Sequence, residues 1–306
     1  MKSHGVVTRV PGKVNLQLSV GPLGNDGFHE VTTVFQAISL FDDVTVTEGK
    51  AGSGTTISVS GQTANGVPAD ASNLAIRAAQ SMMKEFDLSP DLEIKLKKEI
   101  PVAGGMAGGS ADAAGVIVGL DSLFELGLSR DEMEVLGSNL GADVPFSICG
   151  GVAIGTGKGD QITPALFKGS YNWVLALSGQ GLSTPSVYAE CDRLREGLSI
   201  STPVVSEQLM QALRAADAKA LGKSLANDLQ AAACSLRPAL RLVLDVGVDY
   251  GALGGIVSGS GPTVAFLVTD DDHAMDLTVA LSSSGVVSSV VRATGAVAGA
   301  RIIESF

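Results

Sequence analysis

The segment Pro101-Val102-Ala103-Gly104-Gly105-Met106-Ala107-Gly108-Gly109-Ser110-Ala111 places four glycines within six residues, directly before an alanine-rich helical pattern. Glycine lets successive backbone N–H groups turn toward one point without Cβ interference. A helix N-terminus adds unpaired N–H groups at the positive end of its dipole. The segment therefore reads as a seat for an anion, a phosphate above all. Glycine clusters are also ordinary loops, so the neighbours decide. Before the loop, residues 92–100 alternate apolar and polar, the period of a half-buried strand. After it, Ala111, Ala114, Val118 and residues 121–126 recur at helical spacing up to Gly127, with Ser110 as the expected N-cap. The order is strand, glycine loop, helix. No Gly-Lys-Ser/Thr closes the loop, which excludes a P-loop, and the glycines do not follow the G-x-G-x-x-G spacing of a dinucleotide fold.

A chain of 306 residues, 45% hydrophobic, can bury one large or two ordinary cores. Its net charge of −11 argues against nucleic acid as a partner, because phosphate backbones demand a basic face. A nucleotide can still bind where loop amides and a few lysines supply local donors. Residues 1–12 contain no apolar run of signal-peptide length, and no long uncharged apolar stretch follows. Cys149, Cys191 and Cys234 are odd in number and scattered, as expected of reduced thiols in a cytoplasmic protein with no disulfide frame.

Along the chain, residues 5–60 read as short strands at 6–10, 15–20, 32–39, 43–48 and 56–59, with turns at 21–27 and 49–54. Helices are expected at 72–86 and 129–140, the second opened by the capping box Ser129-Arg-Asp-Glu132. Near 160 the texture changes to turn chemistry, Gly155-Thr-Gly-Lys-Gly-Asp160, and a strand at 171–177 follows. Strands at 254–258, 263–268 and 286–292 then mix with helices at 185–195, 206–215, 218–225, 237–246 and 272–284. We place a domain boundary at 160–168, giving residues 1–163 and 164–306.

Three further constellations carry polar groups. In Pro11-Gly-Lys-Val-Asn15, Lys13 and Asn15 sit two apart on a strand, hence on one face, after what reads as a Pro-Gly turn. Asp143, in Gly141-Ala-Asp-Val-Pro145, precedes an apolar run; alone it reads as a turn or cap residue. Beside an ammonium it could act on a hydroxyl proton. Gly254-Gly-Ile-Val-Ser-Gly-Ser-Gly-Pro-Thr263 reads as a tight hairpin, or as a second anion contact through Ser258, Gly259, Ser260 and Gly261.

Taken in order and at these distances, Pro-Gly-Lys-Val-Asn, the central glycine loop and Ser-Gly-Ser-Gly-Pro resemble the three motifs of the GHMP kinase superfamily, over residues 11–262. Gly27-Phe-His-Glu30 and Leu140-Gly-Ala-Asp-Val-Pro145 are similar to its branch that phosphorylates a cytidyl-diphosphate alcohol of the non-mevalonate isoprenoid pathway. The resemblance implies an α/β (α+β two-domain) fold: an N-terminal domain like ribosomal protein S5 domain 2, and a ferredoxin-like C-terminal domain. It implies ATP and Mg²⁺ as cofactors, a small-molecule partner, and a monomer or weak homodimer. By the same resemblance Lys13 and Asp143 are catalytic, and Pro101 to Ala111 with Asn73, Lys97 and Lys98 bind ATP. Asn15, Phe28, His29, Thr184, Tyr188 and Ser258 to Gly261 contact the substrate, and Ser110 is a metal ligand. Asp112 either faces away from ATP or helps hold Mg²⁺, and Asn227-Asp228 suits capping as well as substrate contact. A homoserine, mevalonate or sugar kinase of the superfamily, or a non-catalytic nucleotide sensor, are the competing readings; the first has no evident use for Phe28, His29 and Tyr188, and retention of Lys13 and Asp143 argues against the second.

Overall fold

The computed structural model describes residues 4–88 and 91–306. Two long strands, β1 (Gly5–Leu23) and β2 (His29–Glu48), pair antiparallel from Gly5 opposite Thr47 to Leu23 opposite His29. Each spans what reads as two short strands in the sequence. Pro11-Gly12 is no turn: the register shifts there and again between Asn15 and Gln17. A bulge lets a strand carry a residue without an N–H and keep its course.

The first half continues with β3 (Thr55–Ser60), α1 (Leu74–Phe86), β4 (Leu92–Lys97), α2 (Gly108–Leu123), α3 (Arg130–Ser138), α4 (Val144–Cys149), β5 (Val152–Thr156) and β6 (Gln161–Pro164). Strand β4 pairs with the distal half of β2 and β5 with its proximal half, so β2 is buried between partners. Helix α2 is almost wholly buried, with Ala111, Ala113, Ala114, Val116, Ile117 and Leu120 all in the core. Its small side chains let α1 and the sheet approach its backbone closely, which accounts for the alanine bias. The expected capping box is present at Ser129 and Glu132.

The second half holds β7 (Tyr171–Leu177), α5 (Thr184–Leu194), α6 (Glu207–Ala215), α7 (Ala218–Ser224), β8 (Ala226–Asn227), α8 (Gln230–Leu236), α9 (Ala239–Asp249), β9 (Gly254–Val257), β10 (Val264–Val268), α10 (Asp271–Ser283), β11 (Ser289–Gly295) and β12 (Arg301–Ser305). Strands β9, β10, β7 and β11 form an antiparallel run that joins β2 where Gly295 meets Ile38. The returning β12 pairs with the outer edge of β1, and β8 runs parallel to β1 at Gln17 and Leu18. Helices α4 and α8 and strands β5, β6, β8 and β12 have no counterpart in the sequence reading, in which 155–160 is turn chemistry. The helices are 6 and 7 residues long, too short to show a period, and β12 follows an Ala/Gly-rich run.

Candidate active site

The glycine loop leaves β4 and enters α2, as its sequence implies. The helix, however, starts at Gly108 and not after Ser110. Its N-cap is Ala107, in the left-handed region at φ 62°, with no side chain bonded to the first-turn amides. Ser110 lies within that turn and lines the cleft, so the amides stay open to a ligand. Ala103 and Gly105 are also left-handed.

The second glycine cluster is the hairpin turn between β9 and β10, and it grips the loop. The Ser258 hydroxyl donates to the Gly105 carbonyl at 3.0 Å, and the Thr263 amide to that of Gly104 at 3.3 Å. A Cβ on Gly105 would lie 2.1 Å from the Ser258 carbonyl oxygen, so only glycine fits. Ser258, expected to contact the substrate, is fully buried and does not line the cleft; its hydroxyl donates to the loop. Gly259 and Ser260 do line the cleft, and the Ser260 hydroxyl is 2.8 Å from that of Thr184. Gly261 turns the hairpin at φ 77°, with its amide bonded to the Ser258 carbonyl.

Across a cleft of about 660 Å³ from the loop stand Lys13 and Asp143. Lys13 is buried, and its ammonium donates to the Asn15 Oδ1 at 2.5 Å and lies 4.0 Å from the Asp143 carboxylate. Asn15 is held in turn, its amide donating to the Thr33 hydroxyl at 2.8 Å. Burial pushes the Lys13 ammonium below the ordinary lysine value, against the opposing pull of Asp143. Asp143 occupies the N-cap position of α4, yet its side chain caps nothing and remains partly open to the cleft. Gly259 leaves this pair room: at φ 57°, a Cβ added there would be 3.2 Å from the Lys13 Nζ and 3.3 Å from the Asn15 Oδ1.

Tyr188, on α5, lines the same cleft, with its ring 5.3 Å from that of His29. The His29 Nδ1 donates to the Gly21 carbonyl at 2.8 Å, and its Nε2 lies 3.3 Å from the Asp192 carboxylate. Burial first, then Asp143 and Cys191, push the Tyr188 phenol up to about 12, so it stays neutral. Phe28 does not line this cleft. It is 56% exposed in a neighbouring cavity, and the Lys158 ammonium sits 3.5 Å from its ring centre while pairing with Asp26 at 3.2 Å. Lys158 lines both cavities. The sequence marks its segment only as turn chemistry, so neither it nor Asp26 is legible there as part of a site.

Asn73 is the N-cap of α1, its Oδ1 accepting from the Ala75 amide at 2.8 Å. With Val67, Leu74 and Val102 it lines a cavity of about 230 Å³ beside the loop, to whose wall Lys98 and Asp112 also contribute. Lys97 is exposed and lines neither this cavity nor the cleft. Lys98 is 1% exposed; its three donors go to Asp42, to Asp112 at 2.7 Å and to the Gly108 carbonyl at 3.0 Å. Asp112, left open by the sequence, is thus turned to Lys98 and away from the main cleft. Asn227 and Asp228 are structural: Asn227 caps the Leu229 amide and donates to the Gly259 carbonyl, and Asp228 accepts from the Val20 amide and pairs with Arg195.

Among the described residues no group of three or more His, Cys, Asp or Glu side chains is arranged to hold a metal ion, and no helix is long and apolar enough to cross a membrane. The cleft does offer hard oxygen donors in the Ser110 hydroxyl and the Asp143 carboxylate. That set fits Mg²⁺ arriving on polyphosphate, which takes few protein ligands.

Residues 73–151 match the model of the GHMP kinases N terminal domain and residues 209–287 that of the GHMP kinases C terminal domain. The chain is 51% identical to the 4-diphosphocytidyl-2-C-methyl-D-erythritol kinase of Rhodococcus jostii, over 98% of this chain and 95% of that protein. It is 47% identical to the protein of the same name from Streptomyces coelicolor, over 98% and 99%. A crystal structure of 4-(cytidine 5'-diphospho)-2C-methyl-D-erythritol kinase superposes with a TM-score of 0.73 at 30% identity, over 94% of this chain and 98% of that one. L. major mevalonate kinase, at 16% identity, shares the fold with a TM-score of 0.74 over 94% of each chain.

Proposed function

The chain belongs to the GHMP kinases, among those that phosphorylate 4-diphosphocytidyl-2-C-methyl-D-erythritol, and from this membership and the cleft we infer that Asp143 and Lys13 carry the transfer of the ATP γ-phosphoryl group to the substrate 2-hydroxyl. The observation that carries the assignment is their placement. The carboxylate and the buried ammonium stand 4.0 Å apart in the cleft that the open amides of α2 also face. Phosphoryl transfer asks chiefly for positioning and for donors around a moving anionic group. On this reading Asp143 takes the hydroxyl proton as the O–P bond forms, and Lys13, fixed by Asn15, orients that oxygen and offsets its charge. The 104–110 backbone holds the phosphates, with Ser110 as the residue that would hold Mg²⁺; the ion would supply charge neutralisation on the phosphate oxygens.

The nucleotide base takes the small cavity beside Asn73 and Val102, and the cytosine lies against the contacting pair of Tyr188 and His29, whose imidazole is fixed by Gly21 and Asp192. Thr184, Gly259 and Ser260 border the alcohol. Phe28 joins the cytosine only when Lys158 leaves its ring face. Residues 1–163 and 164–306 act as two domains with the cleft between them, in a monomer or weak homodimer. A coupled ADP-release assay tests the assignment. Asp143→Asn retains ATP binding and loses about 10²–10⁴-fold in turnover with the cytidyl substrate. Near-normal turnover refutes it, and preference for homoserine or mevalonate refutes the substrate.

A further inference from the structure

Asp42, Lys98 and Asp112 are 0%, 1% and 2% exposed and lie directly beneath the glycine loop. Lys98 and Asp112 border the small cavity beside Asn73, and none of the three takes part in the phosphoryl transfer described above. The Asp42 Oδ1 accepts from the Glu99 amide at 2.7 Å and from the Ile100 amide at 2.9 Å, fixing the two residues that precede Pro101. Its Oδ2 accepts from the Lys98 ammonium, which also donates to the carbonyl of Gly108, the first residue of α2. Asp112, one turn into the helix, takes the third donor. Both ends of the 101–107 loop are therefore tied to one buried group of charges. The Lys98 backbone is pinned as well, its amide donating to the Ser60 carbonyl at 2.7 Å.

The loop needs such a frame. Ala103 and Ala107 are held at φ 51° and 62°, where a side chain crowds the backbone, and such residues persist only where their surroundings over-determine them. We propose that the buried Asp42–Lys98–Asp112 cluster is a positioning device for the phosphate loop, one that sets nucleotide affinity by fixing both ends of the loop. The ammonium has its three donors committed, and it acts on the phosphates through the peptide plane that joins the Gly108 carbonyl it grips to the Gly109 N–H. This inference rests on the glycine loop being the ATP seat.

The test measures KM for ATP and for the cytidyl substrate, and binding of a non-hydrolysable ATP analogue by calorimetry, in the intact chain. Lys98→Met is expected to raise KM for ATP and weaken analogue binding tenfold or more, leaving KM for the cytidyl substrate within twofold. A folded Lys98→Met protein with unchanged ATP parameters overturns the proposal, as does an equal rise in both KM values. If Lys98→Met does not fold, Asp112→Ala decides. It leaves Asp42 and Lys98 as a balanced pair, and is expected to raise KM for ATP three- to tenfold; no change overturns the proposal. Val243→Ala, in the core beside β10, serves as the control, since a merely structural loss of stability leaves the KM ratio untouched. Failure of the wild-type protein to bind the analogue would instead refute the ATP seat itself.

Discussion

Replacing Asp112 by Asn isolates one buried charge, and the structure gives its size. Burial, opposed by Lys98 and reinforced by the neighbouring Asp42, pushes the Asp112 carboxyl from an ordinary 3.8 up to about 7. The folded protein therefore keeps a proton that the unfolded chain has already lost between those values. Stability falls with rising pH across that window by about 1.4 kcal/mol per pH unit, and levels off above pH 7 with a total loss of about 4 kcal/mol. Below pH 3.8 both states are protonated and the site costs nothing. An Asn at 112 never ionises, still accepts from Lys98, and leaves Asp42 and Lys98 as a one-to-one pair. One of its polar atoms takes the place of the Asp112 Oδ1, which is buried without a partner, at a pH-independent cost of about 1–2 kcal/mol. The stability of Asp112→Asn relative to the natural protein should thus rise by about 3 kcal/mol between pH 5 and pH 8. In thermal melts at unit pH steps that is a relative gain of roughly 5 °C or more. Asp42 is raised as well, first by its own burial, and is present in both proteins. Melting curves that run parallel across this range would show that the cluster carries no excess charge and refute the reasoning.

Two other perturbations test the cleft. Gly259→Ala puts a methyl 3.2 Å from the Lys13 ammonium in a left-handed backbone, so it should cost about 1–2 kcal/mol of stability and, beyond that, at least tenfold in turnover; a well-folded variant with full turnover refutes the pressure on Lys13. His29→Ala should raise KM for the cytidyl substrate about tenfold, the loss of one good hydrogen bond, with little change for ATP; equal effects on both refute the specificity role.

Much of the site was legible because its chemistry is written in short segments. The glycine loop, Lys13 with Asn15 and the Asp143 segment each carry a local pattern, and the fold brings them to one cleft. What the sequence hides depends on distant contacts. Pro11-Gly12 reads as a turn because nothing local reveals the long β2 partner that carries the chain straight through it. Ser110 reads as a cap because an N-cap is a side-chain role by default, whereas here the helix begins uncapped at Ala107. The role of Asp112 lies with Lys98 and Asp42, 14 and 70 residues away in the chain, and that of Lys158 with Phe28 and Asp26 across a different turn.

The grip of Ser258 on Gly105 joins residues 153 positions apart. Its consequence is that the phosphate loop is not a portable module. A fragment ending after β6 would contain every glycine of the loop but neither Ser258 nor Thr263, and the carbonyls of Gly104 and Gly105 would lose the donors that aim the neighbouring amides. The motif that identifies the family is thus completed by the opposite half of the molecule, and an insertion or truncation in the second half that displaced the β9–β10 turn would reach ATP binding without altering a single residue of the loop.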